Sequence, residues 1–145
     1  MNEKRPATLK IILNDYGAFL SLVFCIIAPT LYLYDAFMAE NPSQGFTWIA
    51  IGMFLLAFLS LGIRFISIIS LYNSGIEAKA IINEIGFFRD RGYIKYIYSI
   101  DNKKYASRTA VMKNKSTTKY QIGDEVDVLI SRENPKKSLI KELFV

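Results

Sequence analysis

The chain has 145 residues, of which 52% are apolar and 21% charged, with eighteen Lys plus Arg against thirteen Asp plus Glu. It has one cysteine and no histidine. That excludes an intrachain disulfide framework and removes the ligand set on which most zinc sites depend, along with the commonest general base.

The apolar residues are concentrated before about Tyr72, and from Asn73 onward apolar and charged residues alternate. This shift predicts two domains, a helical membrane hairpin over 1–72 and a water-soluble β-domain over 73–145. The first apolar run, 17–38, carries one charge, Asp35, and the second, 46–71, carries one, Arg64. Each reaches the roughly 20 residues a helix needs to cross about 30 Å of hydrocarbon. The first run exceeds the length of a signal-peptide core, and a second run follows it. The segment between them, Ala39 to Gly45, is polar and contains Pro42, which suits a tight connection.

Basic residues flank the runs unevenly. Lys4, Arg5 and Lys10 precede the first, many follow the second, and none lies in the connector. The positive-inside rule therefore predicts a multi-pass membrane protein with both termini in the cytoplasm. Gly17, Ser21 and Cys25 with Ala18 and Ala28 on the first helix, and Ala50, Ala57, Ser60 and Ser67 on the second, form stripes of small residues. Such stripes let helices approach closely in lipid. They are expected to face each other within the hairpin, with pairing between two copies as the alternative. Arg64 is expected at the inner interface, either snorkelling to headgroups or paired with Asp15 at the start of the first helix. Pro29 is expected to kink that helix.

In the soluble half, alternation over 76–83 predicts a strand, 87–92 a turn, and the β-branched and aromatic run 93–100 a second strand. Asp101-Asn102 supplies hairpin-turn chemistry into a strand over 105–111. A polar loop then leads through Ile122-Gly123-Asp124 to a strand over 125–130, and a last strand covers 138–144. Five short strands after two membrane helices predict an α+β membrane protein with a C-terminal five-stranded antiparallel barrel or sheet, SH3- or OB-like.

The layout resembles a bacterial domain-of-unknown-function family of small membrane proteins with two transmembrane helices followed by a small β-domain. The resemblance is carried by Gly75, Ala78 and Ala80, by Lys103 and Tyr105, by Tyr120-Gln-Ile-Gly123-Asp124-Glu-Val126-Asp-Val128, and by Asn134-Pro135. The chain departs from the family pattern at Ile130-Ser131-Arg132 and at Asn102. The resemblance implies architecture and no activity.

No phosphate loop, paired-carboxylate signature or nucleophile–base arrangement is present. Gly123 and Asp124 read as turn residues, and Glu125 and Asp127 as solvated strand positions. No catalytic, metal or cofactor site is expected. The soluble half carries fourteen basic residues against nine acidic, a net +5. Anionic lipid at the inner leaflet accounts for that charge, and nucleic acid ranks below it. Arg89, Arg91, Lys113, Lys115 and Lys119 are the candidate contacts to lipid or a protein partner. The expected function is that of a non-enzymatic, membrane-anchored binding or adaptor module. The alternative is a helix-mediated regulator, or an immunity-type protein acting on a membrane toxin or transporter.

Overall fold

A computed structural model describes residues 6–38 and 44–145. Lys4, Arg5 and most of the connector, including Pro42, lie outside the described residues. The helices are α1 (Thr8–Asn14), α2 (Tyr16–Met38) and α3 (Gln44–Ser74). They are followed by β1 (Ile76–Phe88), β2 (Arg91–Ile100), β3 (Lys103–Met112), β4 (Glu125–Ile130) and β5 (Ser138–Ile140), then a 3-10 turn, Lys141–Leu143. The chain forms two compact units. Residues 17–65 make one, and the segments before and after them, up to Tyr16 and from Ile66 on, make the other.

In the helical unit α2 has 23 residues and α3 as a whole 31, about 34 and 46 Å at 1.5 Å per residue. Both are long and apolar enough to span a membrane. The buried positions are small: Ala18, Ser21 and Ala28 on α2, Ala50 and Ala57 on α3. The Ser21 hydroxyl donates to Ser60 Oγ at 3.0 Å. The two small-residue stripes thus meet inside this unit. Leu, Ile and Phe side chains occupy its outside, with Leu55, Leu56, Phe58 and Leu59 all exposed.

The other unit is built on an antiparallel sheet in the order β3-β2-β1-β4-β5 that curls into a nearly closed barrel. Its core takes Ala80 and Ile82 from β1, Ile94, Tyr96 and Tyr98 from β2, and Val126, Val128 and Ile130 from β4. Closure is completed by a side chain. The Tyr96 hydroxyl lies 3.1 Å from Thr109 Oγ1 on β3 and 3.0 Å from Ser138 Oγ on β5, joining the two outer strands. Tyr98 donates to the Pro135 carbonyl and stacks on Tyr105 with centroids 5.9 Å apart.

Turn chemistry sets the register. Asp101 and Asn102 both adopt positive φ, 49° and 62°, as a type I′ hairpin requires. Gly123 has φ 98°, and Asp124 Oδ2 accepts from the Gln121 N–H at 2.8 Å. The same turn bonds to β1 in both directions, through Gly123 N to Ile82 O and Ile82 N to Asp124 O. There β1 carries a bulge, between Ile82 and Glu84.

Three features differ from the sequence expectation. First, β1 runs on to Phe88, because the bulge shifts its alternation and the turn into β2 shrinks to Arg89-Asp90. Second, the last strand stops at Ile140. A 3-10 turn follows, and its Lys141 and Leu143 carbonyls accept from Tyr72 Oη and Asn14 Nδ2. Third, α1 was not expected. It packs on β3 and on the 3-10 turn with Ile11 and Asn14 buried, and the Ala7 N–H donates to Phe144 O at 2.9 Å. Seven residues are too few for a stable isolated helix, so α1 exists through this packing. The compact units consequently differ from a simple cut at 72/73, since the chain before the hairpin packs with the sheet.

Candidate functional site

The bulge decides what the outer face of the sheet presents. Before it, Ala80 and Ile82 point inward opposite Tyr98 and Tyr96. After it, Glu84 pairs with Lys95, Gly86 with Tyr93 and Phe88 with Arg91. β3 adds Arg108 beside Lys95, Ala110 beside Tyr93 and Met112 beside Arg91. One face of three strands therefore carries Glu84, Tyr93 and Lys95 in its middle, Arg108 at its side and Phe88 with Arg91 at its tip.

The middle group is a closed hydrogen-bond set. Tyr93 Oη donates to Glu84 Oε1 at 2.5 Å, and Lys95 Nζ donates to Oε2 at 2.6 Å. The Lys95 bond first, then the Tyr93 bond, holds the Glu84 carboxyl below its ordinary range. The bond to Glu84 raises the Tyr93 phenol in return. Arg108 lays its guanidinium 4.0 Å above the Tyr93 ring centroid.

At the tip, Arg89 and Arg91 sit 5.5 and 5.8 Å from the Phe88 ring centroid, and Phe88 is 62% exposed. Arg89 holds a φ of 52°, an angle that glycine adopts at lower cost than a residue with a Cβ. The loop after β3 docks here, with Lys113 N–H donating to Asp90 O at 2.9 Å. That loop is wound around Asn114, whose Oδ1 accepts from the N–H groups of Ser116 and Thr117.

Of the basic residues singled out from the sequence, the fold brings Arg89, Arg91 and Lys113 together at one end of the sheet, and Lys115 follows in the same loop. Lys119 is elsewhere. It lies 4.9 Å from the Tyr120 ring centroid and 3.8 Å from Glu142 Oε2. Tyr120 is buried there, and burial first, then Glu142, pushes its phenol well above the ordinary value. Asp15 is buried at the end of α1 and makes an isolated antiparallel bridge with Val111. It belongs to the sheet unit and Arg64 to the helical unit. Glu125 and Asp127 flank Lys79 at 3.4 and 2.8 Å, a surface arrangement that contributes little to stability.

The sequence did not single out Phe88, Tyr93 or Arg108 as a group. With Tyr16, Arg91 and the two glycines Gly86 and Gly92 they line a cleft of about 530 Å³. A Cβ on Gly86 would fall 2.6 Å from the Tyr93 ring, and one on Gly92 2.3 Å from the Phe87 ring. Both aromatic rings lie directly across a glycine, a packing that no other residue permits there. Among the described residues no cluster of metal-binding side chains occurs.

Comparison with known proteins finds no matching family model, curated protein or solved structure.

Proposed function

We propose that the chain is a non-enzymatic, membrane-anchored binding module. In this reading α2 and α3 cross a bacterial cytoplasmic membrane as a hairpin, and the β-unit stands at the inner leaflet in the cytoplasm. One observation carries it. Only 17% of the apolar window of α2 and 11% of that of α3 is buried, although both are rich in Leu, Ile and Phe. A core helix of a soluble protein would bury most of that surface, and water is a poor solvent for it.

Other features support the same reading. Segments 6–16 and 66–145 share one compact unit, so both flanks of the hairpin belong on one side of any bilayer it crosses. Lys10 and the basic β-unit lie on those flanks, which favours the cytoplasmic side. The buried polar side chains of the barrel (Tyr96, Thr109, Thr117, Asn14) are committed to structural hydrogen bonds, as suits a binding scaffold more than a catalyst.

The test is fractionation of lysed cells without detergent, followed by alkaline carbonate extraction. The full chain is expected in the membrane pellet after both steps, and recovery in the supernatant overturns the proposal. Sidedness is read on a Cys25→Ser background with a single cysteine at position 43 or 116. An impermeant maleimide added to intact cells lacking an outer barrier is expected to label only position 43.

A further inference from the structure

We propose that the cleft lined by Tyr16, Phe88, Arg91, Tyr93 and Arg108 seats the phosphate headgroup of an anionic phospholipid. The proposal rests on the membrane reading above and gives that module its ligand.

The charge of the cleft comes first. Among the described residues Arg91 and Arg108 are the charged ones that line it, and no acid does. Glu84, on the same face, is already engaged by Tyr93 and Lys95. Among the described residues neither guanidinium is in ion-pair contact with a carboxylate, although the charge of Arg108 helps hold the Glu84 carboxyl below its ordinary range. Each instead rests on an aromatic ring, Arg108 on Tyr93 and Arg91 beside Phe88. A guanidinium stacked by its face still offers its N–H edge, and that edge matches the oxygens of a phosphate. Arg108 is thus held against the Tyr93 ring and Arg91 lies near Phe88, with no hydrogen bond from either guanidinium among the described residues.

Shape comes second. The glycines at 86 and 92 let the Tyr93 and Phe87 rings lie flat against the strands. About 530 Å³ accommodates a headgroup with its glycerol.

Location selects the source of the phosphate. Tyr16, which lines the cleft, is the first residue of the apolar helix α2. In the membrane reading, the start of that helix lies at headgroup depth. Phe88 is exposed next to Arg89 and Arg91, and an exposed aromatic flanked by basic residues belongs at an anionic lipid interface. Stacked aromatics with arginine also suit a nucleic-acid strand. The neighbourhood of Tyr16 favours lipid.

The experiment uses the full chain purified in a nonionic detergent and titrated with phosphatidylglycerol or phosphatidylcholine, with bound lipid counted by native mass spectrometry. One phosphatidylglycerol is expected to be retained in preference to phosphatidylcholine. The double variant Arg91→Gln, Arg108→Gln should weaken that retention about thirty-fold, two basic contacts at about 1 kcal/mol each. Ala110→Trp, which fills the cleft and keeps both arginines, should weaken it as well. Lys136→Gln, Lys137→Gln, in an exposed turn, should leave it unchanged. Equal retention of the two lipids overturns the proposal. So does unaltered retention by both cleft variants, or displacement by millimolar glycerol 3-phosphate or inorganic phosphate. Displacement by a short oligonucleotide would assign the cleft to nucleic acid. A chain that pellets with membranes yet shows no lipid preference removes the cleft proposal alone, whereas a chain that never pellets removes both.

Discussion

The side-chain amide of Asn114 donates to Oδ1 of Asn14 at 2.8 Å, across 100 residues of sequence that include the whole helical hairpin. Asn14 in turn donates to the Leu143 carbonyl, and Asn114 also reaches the Leu13 carbonyl at 2.9 Å. These bonds tie α1 to the loop after β3 and to the 3-10 turn. Asn14→Ala should therefore leave buried partners unmet and cost about 2 kcal/mol. Chemical unfolding in mild detergent, followed by near-UV circular dichroism of the tyrosines, measures this. Trp48 lies on α3 in the other unit, so its fluorescence should not follow the change.

Tyr96→Phe keeps the ring in the core and removes the hydroxyl that spans β3 and β5. The Thr109 hydroxyl is buried and loses its partner. A loss of about 1–3 kcal/mol is expected. Faster amide hydrogen exchange confined to β5 and the facing edge of β3 would locate the effect at the barrel's seam.

Acid should loosen the outer face. The folded pKa of Glu84 lies below its ordinary 4.5, so its contribution to stability is present above pH 4.5 and is lost as pH falls through the lower folded value. Tyr93 is shifted the other way, from 10.0 upward, so its contribution is present below pH 10 and is lost above it. Stability should be level between these limits. The difference in Tm between the wild type and Glu84→Gln should shrink as pH is lowered from 7 toward 3. A constant difference would show that the set with Lys95 and Tyr93 does not contribute.

Arg89→Gly separates stability from binding. The variant relieves a positive φ at the β1–β2 turn, partly offset by the greater freedom of glycine when unfolded, and should stabilise the unit by roughly 0.5–1 kcal/mol. It also removes one positive charge from the exposed tip. Binding of the detergent-purified chain to phosphatidylglycerol should weaken about five-fold, close to 1 kcal/mol for one basic residue. Unfolding and lipid titration of the same preparation should thus move in opposite directions.

The five strands were legible because their signals are local. Tyr93 to Ile100 has strand propensity wherever it is placed, and Asp101-Asn102 and Gly123-Asp124 name their own turns. The two long helices were legible from length and composition. Two features were not. Helix α1 has only Ile11 and its neighbours to announce it, and it is helical because β3 and the 3-10 turn give Ile11 and Asn14 a seat. The cleft was hidden by the bulge at Ile82/Glu84. Simple alternation puts Glu84, Gly86 and Phe88 on the core side, whereas one extra residue turns all three outward. The basic residues at the tip were visible as charge. Their stacking partners became visible only once the strands were in register.

Because α1 and Phe144 hold the barrel from segments on either side of the helical hairpin, the sheet unit has no complete form until residues 138–144 have been made. A ribosome making this chain delivers the α1 segment first, then both greasy helices, and only afterwards the strands that α1 needs. The α1 segment must wait for its partners. Quality control that samples the half-made product would therefore meet a helical hairpin with an unfolded α1 segment before it, and release from that state would coincide with synthesis of residues 138–144.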